Sequence, residues 1–286
     1  MLNLLVMMKF KRPFRRSLIY GLLVTLMSGS IIVSSPQPSY GQSWLNWIFQ
    51  GVQVIQLSTL SDSQEVKYGQ QINRELISSG QFRLSRNRAL IERVDRIGQR
   101  LARNSSRPNL PFTFQVIQDD SINAFATMGG FVYVNTGLIA AAENEAELAS
   151  VVGHEIAHIT ERHSIKQMRN VAISQGLMSA AGLNENDIVN LGVQLAVNLP
   201  NSREAELEAD QVGLQNLRQA GYAPIGMITF MKKLTQKGGS PPAFLSTHPG
   251  SSQRVEALTQ AVNPEMAYQG DGLDNQAYQR EFRALL

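Results

Sequence analysis

Apolar residues recur every three or four positions between Ser61 and Arg103, with Ile91, Val94, Ile97 and Leu101 on one face, and this spacing predicts helix. Pro108 and Pro111 end that region. Residues Phe112 to Ile117 then alternate apolar and polar positions as a strand does, and Asp119-Asp120 reads as the turn after it. A second strand is expected at Gly130-Phe131-Val132-Tyr133-Val134, directly after Met128-Gly129-Gly130. Helical pattern resumes at Asn144 and continues to about Gln167, and residues 171–200 are moderately apolar with a break over Gly182 to Asp187. A further helix is expected from about Arg203 to Ala220, ending at Gly221. A Gly/Pro-rich loop, Gly238 to Pro242, precedes Leu245-Ser246-Thr247-His248-Pro249-Gly250. The pattern describes an α+β chain, mainly α, with one small sheet and no internal repeat.

The amino-terminal stretch follows a different rule. Lys9, Lys11, Arg12, Arg15 and Arg16 precede an apolar run from Leu18 to Val33, and residues 1–41 contain no acid. A polar Ser34-Ser35-Pro36-Gln37-Pro38 stretch comes next, and Ser39 and Gly41 are small residues suited to cleavage before Gln42. Residues 1–41 are therefore expected to be an export signal, the rival being an uncleaved anchor. The run is short for a membrane span and contains Ser28, Gly29 and Ser30, which favours cleavage. Residues 42–60, with Trp44, Leu45, Trp47, Ile48 and Phe49, are expected to form a short apolar helix. It would pack on the domain 61–286 or, less readily without a cationic face, rest on a membrane.

Charge changes meaning once this segment is set apart. The whole chain carries +3, but without residues 1–41 it holds 21 basic and 23 acidic residues, a net −2. Nothing in that balance points to nucleic acid. The absence of cysteine excludes a lipid-modified cysteine and any disulfide scaffold.

The chemistry concentrates in few residues. The chain has four histidines, and two of them fall in His154-Glu155-Ile156-Ala157-His158. Histidines four apart on a helix share a face and can meet one zinc ion, while the intervening glutamate reaches a water without binding the metal. A third ligand is needed. A third histidine six residues after the second, with a glycine between, is ruled out because those positions are Ser164 and Glu161. His163 is read as structural, its cation meeting a helix carboxyl end. Ser202 to Asp210 offers two pairs, Glu206 with Asp210 and Glu204 with Glu208. The second pair also fits a solvated helix face, and spacing alone does not choose between them.

Taken together, Asn123-Ala124-Phe125-Ala126, Gly129-Gly130, Gly137-Leu138-Ile139, the HExxH helix, Ser202-Arg203-x-x-Glu206-x-x-Ala209-Asp210, and His248-Pro249 with Arg254 resemble a known family. It is the HtpX/BepA-like and CAAX-prenyl-protease-type zinc metallopeptidases, metallopeptidase family forty-eight. The resemblance covers about residues 61–262. It implies a zincin-like (gluzincin) domain whose small sheet places an edge strand beside the active site. It also implies one zinc ion on His154, His158 and Glu206, with Asp210 behind a histidine ligand and Glu155 as general base. His248 is implied at the active site, stabilising the oxyanion or closing the fourth zinc position, and Arg254 bracing its loop or binding the oxyanion. The chain is expected to be a minimal exported form, without the membrane spans of some members or the carboxy-terminal helical repeats of others.

Asn123 and Ala124, with Gly129 and Gly130, are expected to bind substrate. An extended polypeptide adding to the edge strand would use main-chain hydrogen bonds and so demand little sequence. The expectation is a peptidase of unfolded or misfolded envelope proteins, in the periplasm or at the membrane. A latent zinc-bound assembly factor and a narrowly specific maturation protease are the alternatives.

Overall fold

The computed structural model describes residues 57–176, 183–198, 200–236, 242–249 and 251–286. The expected export signal and most of the expected apolar helix over 42–60 lie outside them. Of the latter, Leu57–Thr59 forms a single 3-10 turn whose Leu57 is buried.

The region from Ser61 to Arg103 is two helices rather than one continuous pattern. Helix α1 (Asp62–Ser78) starts at a capping box in which Ser61 and Gln64 exchange hydrogen bonds with each other's backbone. It stops at Ser79 and Gly80, the latter with φ 73°. The chain then runs extended, pairing Leu84 with Ile117, before α2 (Arg88–Arg103) begins at an Asn87 cap. Serine and glycine at 78–80 end α1, and a sheet contact formed far along the sequence holds the extended link to α2.

Strands β1 (Thr113–Ile117), β2 (Ala124–Thr127) and β3 (Phe131–Asn135) form a sheet in the order β1-β3-β2. β1 runs parallel to β3 and β2 antiparallel to it. Because side chains alternate across a strand, Val132 and Val134 enter one core and Phe131 and Tyr133 another. The first core holds α2, helix α4 (Glu145–Thr160) and the carboxy-terminal helices. The second holds α1, α5 (His163–Ser174) and α6 (Glu185–Asn198). β3 is buried along its whole length, which leaves β2 as the edge beside the site.

Between sheet and site runs α4, preceded by the short α3 (Thr136–Ala141) and capped by Asn144. Ala146 through Thr160 are all buried, so this helix has no solvent face. Helix α7 (Arg203–Gln219) packs along it, capped by Ser202 and closed at Gly221 with φ 77°. Gly153 and Gly213 meet at the crossing. A methyl group on Gly213 would lie 3.1 Å from the His154 Cα, so the missing side chain sets how near the helices come. Helices α8 (Ile225–Gln236), α9 (Ala243–Thr247), α10 (Ser251–Ala261) and α11 (Asn275–Glu281) complete the described fold.

The helical pattern read from Asn144 to Gln167 is also interrupted. Glu161 caps α4, and Arg162 takes φ 57°, a left-handed conformation that L side chains adopt at a cost. Arg162 is held there by Asp62 at 2.7 Å and Glu65 at 3.2 Å. Arg107 grips Glu65 with two nitrogens, reaches Asp62, and donates to the Ile159 carbonyl at the end of α4. The carboxyl end of the HExxH helix is thereby tied to α1.

Candidate active site and metal centre

His154 and His158 are one turn apart on α4 and present their Nε2 atoms 3.0 Å from one another. Glu206, one turn into α7, brings Oε2 to 3.4 Å from His154 Nε2 and Oε1 to 3.4 Å from His158 Nε2. His248, directly after α9, places Nδ1 3.0 Å from Glu206 Oε1 and 3.4 Å from His154 Nε2. All four residues are buried, and one donor atom from each lies within 4.8 Å of the others.

These separations test the fit to a metal. Zinc bonds of roughly 2.0–2.1 Å in a tetrahedron put neighbouring donors about 3.3 Å apart. The histidine–histidine and histidine–glutamate distances, 3.0 and 3.4 Å, bracket that edge. Charge agrees with geometry. The buried carboxylates Glu155, Glu206 and Asp210 face one buried guanidinium, Arg254, leaving a formal −2 that a divalent cation neutralises. The residues fit a single metal ion.

Burial works against charging His154, yet Asp210 and Glu206 raise its pKa to about 9. Burial lowers His158 to about 3, helped by the neighbouring His154 charge and opposed by Glu206. It would also raise Glu206, but the three surrounding histidines hold this carboxyl well below the usual range. For Glu155 burial prevails, and its pKa is raised. Among the described residues Glu155 Oε1 has no hydrogen-bond partner, and it faces His248 Nε2, likewise unpartnered, at 3.5 Å.

Asp210 and Arg254 stand behind the donors. Asp210 Oδ1 lies 3.1 Å from His154 Nδ1, near but not aligned as a hydrogen bond. Arg254 is 1% exposed and far from a surface arginine. It binds both Asp210 oxygens at 2.7 and 2.8 Å, Glu206 Oε2 at 2.6 Å, and donates to the His248 carbonyl at 3.2 Å. One side chain thus connects both carboxylates of α7 to the His248 loop.

The cleft beside Glu155 and His158 is walled by Phe125, Ala126 and Thr127 of β2 with Met128 just after it, and by Gly192, Leu195 and Ala196 of α6. None of the four positions named for substrate is among the residues lining this cleft. Asn123 and Ala124 enter β2, where Asn123 accepts from the Asn135 amide and Ala124 faces a core. Gly129 and Gly130 come after β2 with φ 78° and 98° and lie against α1 and the Pro111–Phe112 backbone, respectively. Their freedom serves close backbone packing there.

Two residues read as structural or solvated join the site. His163 Nδ1 lies 2.9 Å from His158 Nδ1, and His163 Nε2 lies 2.9 Å from Glu208 Oε2. Glu204 and Glu208 are both exposed, and the contact with His163 is what sets Glu208 apart. A signal existed in Glu208 falling two residues past Glu206, but the turn at Arg162 that swings His163 back has no local mark.

This fold, with an HExxH helix and a glutamate of a second helix gathered into one donor set that could hold a metal ion, defines a metallopeptidase domain of gluzincin-like type. Residues 89–262 match Peptidase family M48, and the chain belongs to that family. The β-barrel assembly-enhancing protease of Escherichia coli is 33% identical over 222 residues, 72% of this chain and 45% of that protein. The metalloprotease LoiP of Escherichia coli is 29% identical over 225 residues, 75% of this chain and 87% of that protein. The mitochondrial metalloendopeptidase OMA1 of Arabidopsis thaliana is 37% identical over 150 residues, 51% of this chain and 30% of that protein. The chain spans less than half the length of the assembly-enhancing proteases it matches. Among the described residues no helix is long and apolar enough to cross a membrane.

Proposed function

We propose that this peptidase holds one zinc ion on His154, His158 and Glu206 and hydrolyses peptide bonds in unfolded or extended exported proteins. The observation that carries the reading is the edge strand β2 running beside Glu155 and the donor cluster. An edge offers backbone donors and acceptors to a chain that has free backbone of its own, which a folded substrate lacks. The amino-terminal leader supports export to the periplasm or cell envelope, possession of the metal site supports catalysis, and relatives named for β-barrel assembly support a quality-control role there.

Bound zinc supplies a Lewis acid for the scissile carbonyl and acidifies water. Glu155 accepts the water proton on its carboxylate and returns it to the leaving amine; burial, which raises its pKa, suits both halves of that exchange. Asp210 and Arg254 keep His154 and Glu206 in place through their contacts with those side chains. Asn123, Ala124, Gly129 and Gly130 serve substrate indirectly, by seating the two ends of β2 against β3, α1 and the Pro111–Phe112 backbone.

His248 stands within the donor set, which favours a resting state in which it fills the fourth position. His248→Ala then raises the initial cleavage rate. A fall in kcat at unchanged KM would instead assign His248 to the oxyanion. The same latency keeps an assembly-factor role open, and one experiment separates it from catalysis. Purified protein is incubated with zinc and a labelled, chemically unfolded polypeptide. Cleavage is expected from wild type, lost on chelation and reduced at least ~100-fold in Glu155→Gln. No zinc-dependent cleavage by wild type, with Glu155→Gln fully complementing a deletion in cells, would favour the assembly factor.

A further inference from the structure

Two ring nitrogens of His158 face different partners, and their roles can be deduced in order. Nε2 belongs to the donor cluster, 3.0 Å from His154 Nε2 and 3.4 Å from Glu206. A nitrogen that ligates a metal does so through its lone pair, so the ring proton of neutral His158 resides on Nδ1. That N–H points at His163 Nδ1, 2.9 Å away, which must therefore accept. His163 is then protonated on Nε2, and this N–H donates to Glu208 Oε2, also at 2.9 Å. Every link is fixed by the one before it.

From this chain of bonds we infer that His163 and Glu208 are positioning residues for the metal, a histidine–carboxylate relay that sets the tautomer and ring orientation of His158. The inference rests on the zinc reading of the cluster. The two α4 histidines are thereby supported differently. His154 has a buried carboxylate, Asp210, directly behind it. His158 reaches a carboxylate only through a second imidazole, because α7 passes the donor cluster at Glu206 and Glu208 lies about 200° around the helix from it. His163 spans that gap. It can do so because the chain turns through left-handed Arg162 and restarts as α5; on an uninterrupted helix five residues would leave His163 about 140° away from His158.

The burial pattern fits a relay rather than chance packing. His163 is 3% exposed, and among the described residues its side-chain hydrogen-bond partners are His158 and Glu208. Glu208 is 47% exposed, and Lys166 lies 3.6 Å from the same oxygen. The outer end therefore meets solvent while the inner end meets the donors. Replacing His163 by leucine would bury the His158 N–H without an acceptor. Asparagine would keep an acceptor near the Nδ1 position.

The test measures zinc affinity of the whole protein by competition with a chromogenic chelator, together with the visible spectrum of the cobalt-loaded form and the thermal midpoint of the metal-free form. His163→Leu is expected to weaken zinc binding by about 10–100-fold and to shift the cobalt bands, as removal of a ligand's supporting partner does elsewhere. His163→Asn is expected to stay within about 5-fold of wild type, a rescue that mere space-filling would not produce. Glu208→Gln, at a half-exposed site, is expected to weaken binding in the wild-type background and to have no further effect in His163→Leu. His163→Leu binding zinc as tightly as wild type, with unshifted cobalt bands, would overturn the relay. So would equal Glu208→Gln effects in both backgrounds. Wild type that binds no zinc would overturn the metal reading itself, a separate result.

Discussion

Arg254 illustrates how much of this site rests on single side chains. Its surroundings in sequence, Ser252-Gln253-Arg254-Val255-Glu256, are mostly polar, and the resemblance alone directed attention to it. Folding instead buries it against Asp210 and Glu206, a pairing no local pattern can announce because its partners are 44 and 48 positions away. Removing one member of a buried ion pair leaves the others uncompensated, at a cost of about 3–5 kcal/mol. Arg254→Met is accordingly expected to destabilise metal-free protein by that amount in urea unfolding. Zinc should recover part of the loss, since the cation takes over some of the charge that Arg254 offsets. By contrast His154, Glu155 and His158 were legible from four-residue spacing, because their helix is continuous where it carries them.

At the level of elements, what periodicity showed and what it concealed obey one division. Strands β1 and β3 and helix α7 were readable because their apolar spacing is a local property, as is the stop at Gly221, whereas β2 was expected only from the resemblance. The breaks were not. One falls at Gly80, where serine and glycine gave a signal that continuing apolar spacing outweighed. The other falls at Arg162, which has neither glycine nor proline to mark it and is held by acids on α1 about 100 residues earlier. Helix contact distance was equally hidden, although it decides whether Glu206 can reach both histidines. Gly213→Ala would put a methyl 3.1 Å from the His154 backbone and push α7 away from α4. The expected outcome is a loss of about 1–3 kcal/mol in stability, with weaker zinc binding, measured by unfolding and by metal competition on the same preparation. Stability lost with zinc affinity unchanged would show that the helices adjust without moving the donors.

For the whole molecule, the fold and the metal are thermodynamically linked. A ligand that binds only the native state stabilises it by an amount that grows with the logarithm of its free concentration over Kd, about 4 kcal/mol at a thousandfold excess. Chelation should therefore lower the thermal midpoint of the wild type by several degrees, and adding zinc should restore it. Glu155→Gln should keep a chelation-dependent shift in this assay, because that residue contributes charge to the site but no donor. The donors themselves are dispersed. His248 is 42 residues from Glu206 and 94 from His154, and the three lie on elements that meet only when packed. A chain still emerging from the ribosome thus carries imidazoles and carboxylates on separate elements but no cutting edge. The hazard of making a protease is met by topology, since the enzyme is armed by the act of completing its own fold.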